Sequence, residues 1–190
     1  MRGKRRALAA ALLAGLISSV NADSWSYKPI SEDKSYEFGP VKVVLTTDAT
    51  RDTKYPEFTV RVFRSGLLQA QYRRMAFEHV VSSPDQSVIV GLSNDGLPGT
   101  AIAVFGASGD LRLLVHHGMA EFDYCERSVT RRRVWFDEQN PDVRFDFNSK
   151  EPGMSGISLR DCRGNRVDIW AVALKAYNNA SQRSPARGRR

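Results

Sequence analysis

Residues 80–115 read VVSSPDQSVIVGLSNDGLPGTAIAVFGASGDLRLLV. Val80-Val81 runs into Ser82-Ser83-Pro84-Asp85-Gln86, a cluster of turn formers. Val88 to Leu92 is an apolar run of strand length, closed by Ser93-Asn94-Asp95-Gly96-Leu97-Pro98-Gly99. Ala101 to Phe105 is apolar at every position, as expected of a central strand covered on both faces. Gly106-Ala107-Ser108-Gly109-Asp110 is a turn of hairpin length, and Leu111 to Val115 returns. Strand, turn and strand follow one another with no room for a crossover helix, so the sheet here is antiparallel.

Outward from this stretch the same grammar holds. Val41, Val43 and Leu45 alternate with Lys42 and Thr46, and Phe58, Val60 and Val62 alternate with Thr59 and Arg61. Period-2 alternation predicts half-buried strands. Residues 67–75 fit a strand or a helical turn, and 23–38 read as an extended lead-in. Downstream, 127–148 predicts a hairpin around Asp137-Glu138-Gln139-Asn140-Pro141. Its register sets Phe136 opposite Val143, Val134 opposite Phe145 and Arg133 opposite Asp146. A last hairpin is expected from Ile157–Arg160, the turn 161–165 and Val167–Leu174. The chain therefore reads as all-β: an antiparallel β-sandwich, curled sheet or small barrel of about nine short strands with one disulfide. Residues 80–115 look like one blade of a TolB-type or WD-like β-propeller. A propeller needs at least four blades of roughly 40 residues, and no self-similarity at that period is found, so no family follows from the likeness.

The domain boundaries come from composition. Met-Arg-Gly-Lys-Arg-Arg, the apolar run Ala7–Val20 and the small residues around Ala22 predict a cleaved secretory signal over 1–22. A single β-rich domain is expected over 23–177 and a disordered basic tail over 178–190. The whole chain of 190 residues carries +7. Arg2, Lys4, Arg5 and Arg6 belong to the expected signal, and Arg183, Arg187, Arg189 and Arg190 to the tail. The span 23–182 holds 20 basic and 21 acidic residues and is near neutral, so no nucleic-acid partner is expected. No later apolar stretch is long enough to span a membrane after cleavage.

Cys125 and Cys162, an even pair in an exported chain, predict a disulfide. Export points to a periplasmic or secreted location, and 21 Arg against 7 Lys points to a GC-rich bacterium. The sequence offers no metal or cofactor motif. His116-His117 are adjacent, so their rings leave a strand on opposite faces. Gly91, Gly96 and Gly99 lack phosphate-loop spacing, and Ser93-Asn94-Asp95-Gly96 lacks the ligand spacing of a calcium loop. The sharpest candidate is basic. Arg127, Arg131 and Arg133 share one face of an expected strand, with Arg132 on the other, and such a row suits anions. A cross-strand ladder to Asp142 or Asp146 is its structural alternative. Three functional expectations follow. The first is an exported, non-enzymatic binding or envelope-associated β-domain. The second is an exported hydrolase without a recognisable motif, centred near His79, His116 or the 93–99 loop. The third is a binder of polyanions or anionic membrane surfaces through the arginine row and the tail.

Overall fold

A computed structural model describes residues 31–49, 56–96, 99–119, 122–127, 132–147 and 154–183. The expected signal over 1–22 and residues 184–190 lie outside them. Two four-stranded meanders dominate. The first has the order β1 (Glu32–Phe38), β2 (Val41–Asp48), β3 (Glu57–Arg64), β4 (Leu67–Arg73). The second has the order β5 (His79–Ser82), β6 (Val88–Leu92), β7 (Thr100–Gly106), β8 (Leu111–His116). Every pairing in both is antiparallel. The sheets stay open, so the sandwich and curled-sheet readings hold and the barrel does not.

The alternating residues stack these sheets. Val41, Val43 and Leu45 of β2 and Val60 and Val62 of β3 are buried against Ile89, Ala103 and Phe105 of the second sheet. The other face of β6 and β7 presents Val88, Val90, Leu92, Ile102 and Val104 to a third layer. Both faces of β6 and β7 are thus covered, as their unbroken apolar runs require. An irregularity between Thr100 and Ile102 lets Ala101 and Ile102 both serve the third-layer core.

The turns are set by side-chain acceptors. Asp85 Oδ1 accepts from Ser83 Oγ at 2.7 Å, Ser87 Oγ at 2.8 Å and Ser87 N at 3.1 Å. Those donors hold its carboxyl below the usual range. Gly91 has a packing role: a Cβ there would lie 2.6 Å from the ring of Phe77, itself buried against Phe105. Gly91→Ala is expected to cost about 1–3 kcal/mol through overpacking. Urea melts of the variant check this, and unchanged stability would mean that the Phe77 ring moves aside freely.

The third layer departs from expectation. It holds β9 (Glu126–Arg127) paired with β10 (Arg133–Val134), and β11 (Arg144–Phe147), β12 (Met154–Arg160) and β13 (Arg166–Asp168) in one sheet. The hairpin over 127–148 does not form. Arg133 lies opposite Arg127, not Asp146, and Phe145 lies opposite Ile157, not Val134. The backbone of 133–136 is already committed. Arg133 N donates to Asn94 O at 2.7 Å, Trp135 N to Asn94 Oδ1 at 2.9 Å and Cys162 N to Trp135 O at 3.1 Å. No edge is left there for β11.

The second correction is the segment after Val167. It is helix α1 (Ile169–Arg183), not a strand to Leu174, and it runs into the stretch expected as tail. Ile169, Ala173 and Ala176 are buried at helical spacing. Asp168 Oδ1 accepts from Ala171 N at 2.9 Å and caps the first turn. No helix among the described residues is long and apolar enough to cross a membrane.

Candidate functional site

The site is assembled by the arm 122–127 and the strand 133–134. Cys125 and Cys162 form the expected disulfide, with Cα atoms 6.1 Å apart. The bridge suggests an oxidising, extracytoplasmic environment. It ties the arm to the turn after β12, and Cys125 N donates to Val134 O at 2.9 Å. The two-residue ladder that results sets Arg127 directly across from Arg133. The predicted row is therefore a cross-strand pair, drawn from two strands instead of one. Arg131 lies outside the described residues.

Like charges directly opposite on a sheet destabilise it. Arg133 is hydrogen-bonded to the side chain of Tyr124. Nearby, Arg132 pairs with Glu126 at 3.3 Å and with Glu138, and Arg163 pairs with Asp123 at 2.8 Å. Arg127 places its guanidinium carbon 5.8 Å from the centre of the Tyr124 ring.

Tyr124 connects the pair to a buried histidine. Its hydroxyl donates to the His117 carbonyl at 3.2 Å and lies 3.3 Å from His117 Nδ1. Burial raises the Tyr124 pKa, while Arg133 and Arg127 pull it down. His117 is 3% exposed and packs on Phe122 and Tyr124. Burial first, and Arg133 second, lower its pKa to about 4. The ring is therefore neutral at pH 7, and the site's positive charge resides on the two guanidinium groups. Beside the arm, a cavity of about 420 Å³ opens between Phe122, Trp135 and the first turns of α1.

The other residues singled out by sequence are used structurally. Asn94 is fully buried: its Nδ2 donates to Phe136 O at 3.3 Å and to Glu138 Oε1 at 3.1 Å. Ser93 O accepts from Trp135 Nε1 at 2.9 Å. The oxygens of the 93–95 loop thus fasten the third layer to β6. His79 packs edge-on against Phe136, on β5, away from the consecutive His116 and His117 at the end of β8. His117 faces the Ser93 backbone and the Tyr124 hydroxyl, and the Asp95 carboxylate acts on it electrostatically. Asp137 caps its own turn through Gln139 N and Asn140 N. Among the described residues no three His, Cys, Asp or Glu side chains are placed to hold a metal ion.

Sequence reasoning missed Tyr124 and a second arginine group. Arg144, Arg160 and Arg166 all reach Asp142, which the sequence offers only as a ladder partner of the first row. Their convergence depends on the register of three strands, for which local alternation carries no signal. The sequence matches no family model, and neither curated proteins nor solved structures give a significant match.

Proposed function

We propose that this protein is an exported, non-enzymatic β-sandwich module that binds an anionic group at the Arg127–Arg133 pair. The observation that carries the reading is the cross-strand pairing of Arg127 with Arg133, with Arg127 over the Tyr124 ring and Arg133 hydrogen-bonded to Tyr124. Two planar donor forks carried by adjacent strands suit sulfate, phosphate or carboxylate oxygens. An anion between them removes the like-charge repulsion, which favours binding. In this reading residues 1–22 direct export and are removed, and the module works in the periplasm or outside a bacterial cell. The ligand class is a polyanion or an anionic envelope surface.

The test is binding to immobilised heparin over a salt series. Wild type is expected to bind and to elute with rising salt, as screening of exposed charges requires. Arg127→Ala with Arg133→Ala should weaken binding by about tenfold or more while the protein stays folded, since each charge-assisted hydrogen bond contributes more than a neutral one. Retention unchanged in the double variant would overturn the site. Absence of retention in wild type at low salt would overturn the polyanion reading.

A further inference from the structure

A second arginine cluster lies on the outer face of the β11–β12–β13 sheet. The core face of this sheet carries Ile157 and Leu159, both fully buried. The alternate residues face outward: Ser158 and Arg160 on β12, with Arg144 opposite Ser158 and Arg166 opposite Arg160. The register therefore gathers three arginines from three adjacent strands. They meet at a single carboxylate oxygen. Asp142 Oδ2 lies 3.2 Å from Arg144 Nη2 and 3.4 Å from Arg160 Nη2, and Arg166 Nη2 also reaches it. Arg166 Nη1 donates to the Asp142 carbonyl at 2.5 Å.

The donors outnumber what Asp142 can accept. Each guanidinium carries five N–H groups, whereas a carboxylate offers about four acceptor positions. Arg160 Nε is buried without a hydrogen-bond partner. Asp142 itself stands at φ +41°, a left-handed backbone that few non-glycine residues adopt. The other carboxylates of this face are turned to other work or lie further along it. Asp168 caps α1, and Asp146 sits opposite Gly156 on β11, away from Arg166. Asp142 thus brings one negative charge to three guanidinium groups.

We propose that Arg144, Arg160 and Arg166 form a phosphate- or sulfate-binding site that Asp142 occupies in the free protein as an internal competitor. A tetrahedral dianion satisfies more of the convergent donors than one carboxylate does, and it displaces the Asp142 side chain by outcompeting it. The site shares no residue with the Arg127–Arg133 pair, so the two readings stand or fall separately.

The experiment uses the full chain carrying Arg127→Ala and Arg133→Ala, which removes the first site. Inorganic phosphate is titrated at constant ionic strength by calorimetry, with folding followed by circular dichroism. Asp142→Asn is expected to raise phosphate affinity about tenfold, since the binding-competent state no longer competes with a resident carboxylate. Arg144→Gln, at a well-exposed position, is expected to lower it. Vesicles of phosphatidylglycerol form a second arm: binding there that depends on Arg144 assigns the oxyanion to a lipid headgroup, and binding of phosphate alone assigns it to a free anion. Folded Asp142→Asn protein that binds neither phosphate nor vesicles overturns the proposal. Should Asp142→Asn fail to fold, phosphate affinity unchanged by Arg144→Gln overturns it equally.

Discussion

Removing the Cys125–Cys162 bridge is expected to cost about 4 kcal/mol of folding stability. The two cysteines stand 37 residues apart, and in the chain-entropy model a loop of that length confines the unfolded chain by about this amount. The native side of the balance points the same way. The arm 122–127 is held by a two-residue ladder, the Tyr124 contacts and the Asp123–Arg163 pair. Exposed ion pairs add little. Without the bridge the arm has few bonds to keep it in register, and Arg127 loses its place opposite Arg133. Chemical denaturation of Cys125→Ala with Cys162→Ala, set beside the oxidised wild type, measures the difference. A loss below about 1 kcal/mol would show that the arm is fixed by its packing alone.

Acid is expected to weaken the fold through His117. In the unfolded chain an imidazole takes up its proton near pH 6.5, whereas the buried ring does so only near pH 4. Between those values the unfolded chain binds the extra proton and the folded chain does not. Stability is therefore fully present above pH 6.5 and is lost as pH falls to about 4, by roughly 3 kcal/mol for the shift involved. Glu78 works in the opposite sense. Burial raises its carboxyl pKa, so the folded chain holds that proton more readily and gains stability as pH falls through the raised value. Asp85, Asp110 and Asp142, whose carboxyls are held low by hydrogen bonds, lose their contribution only at more acid pH. The His117 contribution is isolated by comparing wild type with His117→Gln in urea melts from pH 7.5 to 4. The variant should show a shallower loss across that window. Parallel profiles would place the acid sensitivity elsewhere.

The parts of the fold readable in the sequence are those where local pattern and tertiary packing agree. Val88–Leu92 is the observed β6, and the apolar run at Ala101 marks β7 because both strands are covered on two faces. The Ser83–Ser87 and Gly106–Asp110 turns carry their own acceptors in Asp85 and Asp110. The third layer was not readable in the same way. Asn94 captures the backbone of Trp135 from 41 residues away, and that bond diverts 133–136 from the hairpin its alternation suggested. Val167–Leu174 satisfies a strand pattern over a short window. The buried spacing of Ile169, Ala173 and Ala176, with Asp168 as cap, appears only when the window extends by another turn.

The candidate site was half visible for a related reason. Arg127 and Arg133 do share a face, but through cross-strand pairing that the disulfide enforces, not through periodicity along one strand. Tyr124 escaped notice because an isolated tyrosine has no motif. Its role follows from the Arg127 stacking and the hydrogen bond to His117, both products of the folded arm.

The claim that anions bind at this pair is tested most directly by nuclear magnetic resonance of the arginine Nε–Hε groups during a sulfate titration. The account predicts that the Arg127 and Arg133 signals shift together along one saturating curve and that Arg132, already paired with Glu126 and Glu138, stays still. Arg127 and Arg133 signals that do not move while sulfate reaches saturating concentration would contradict it.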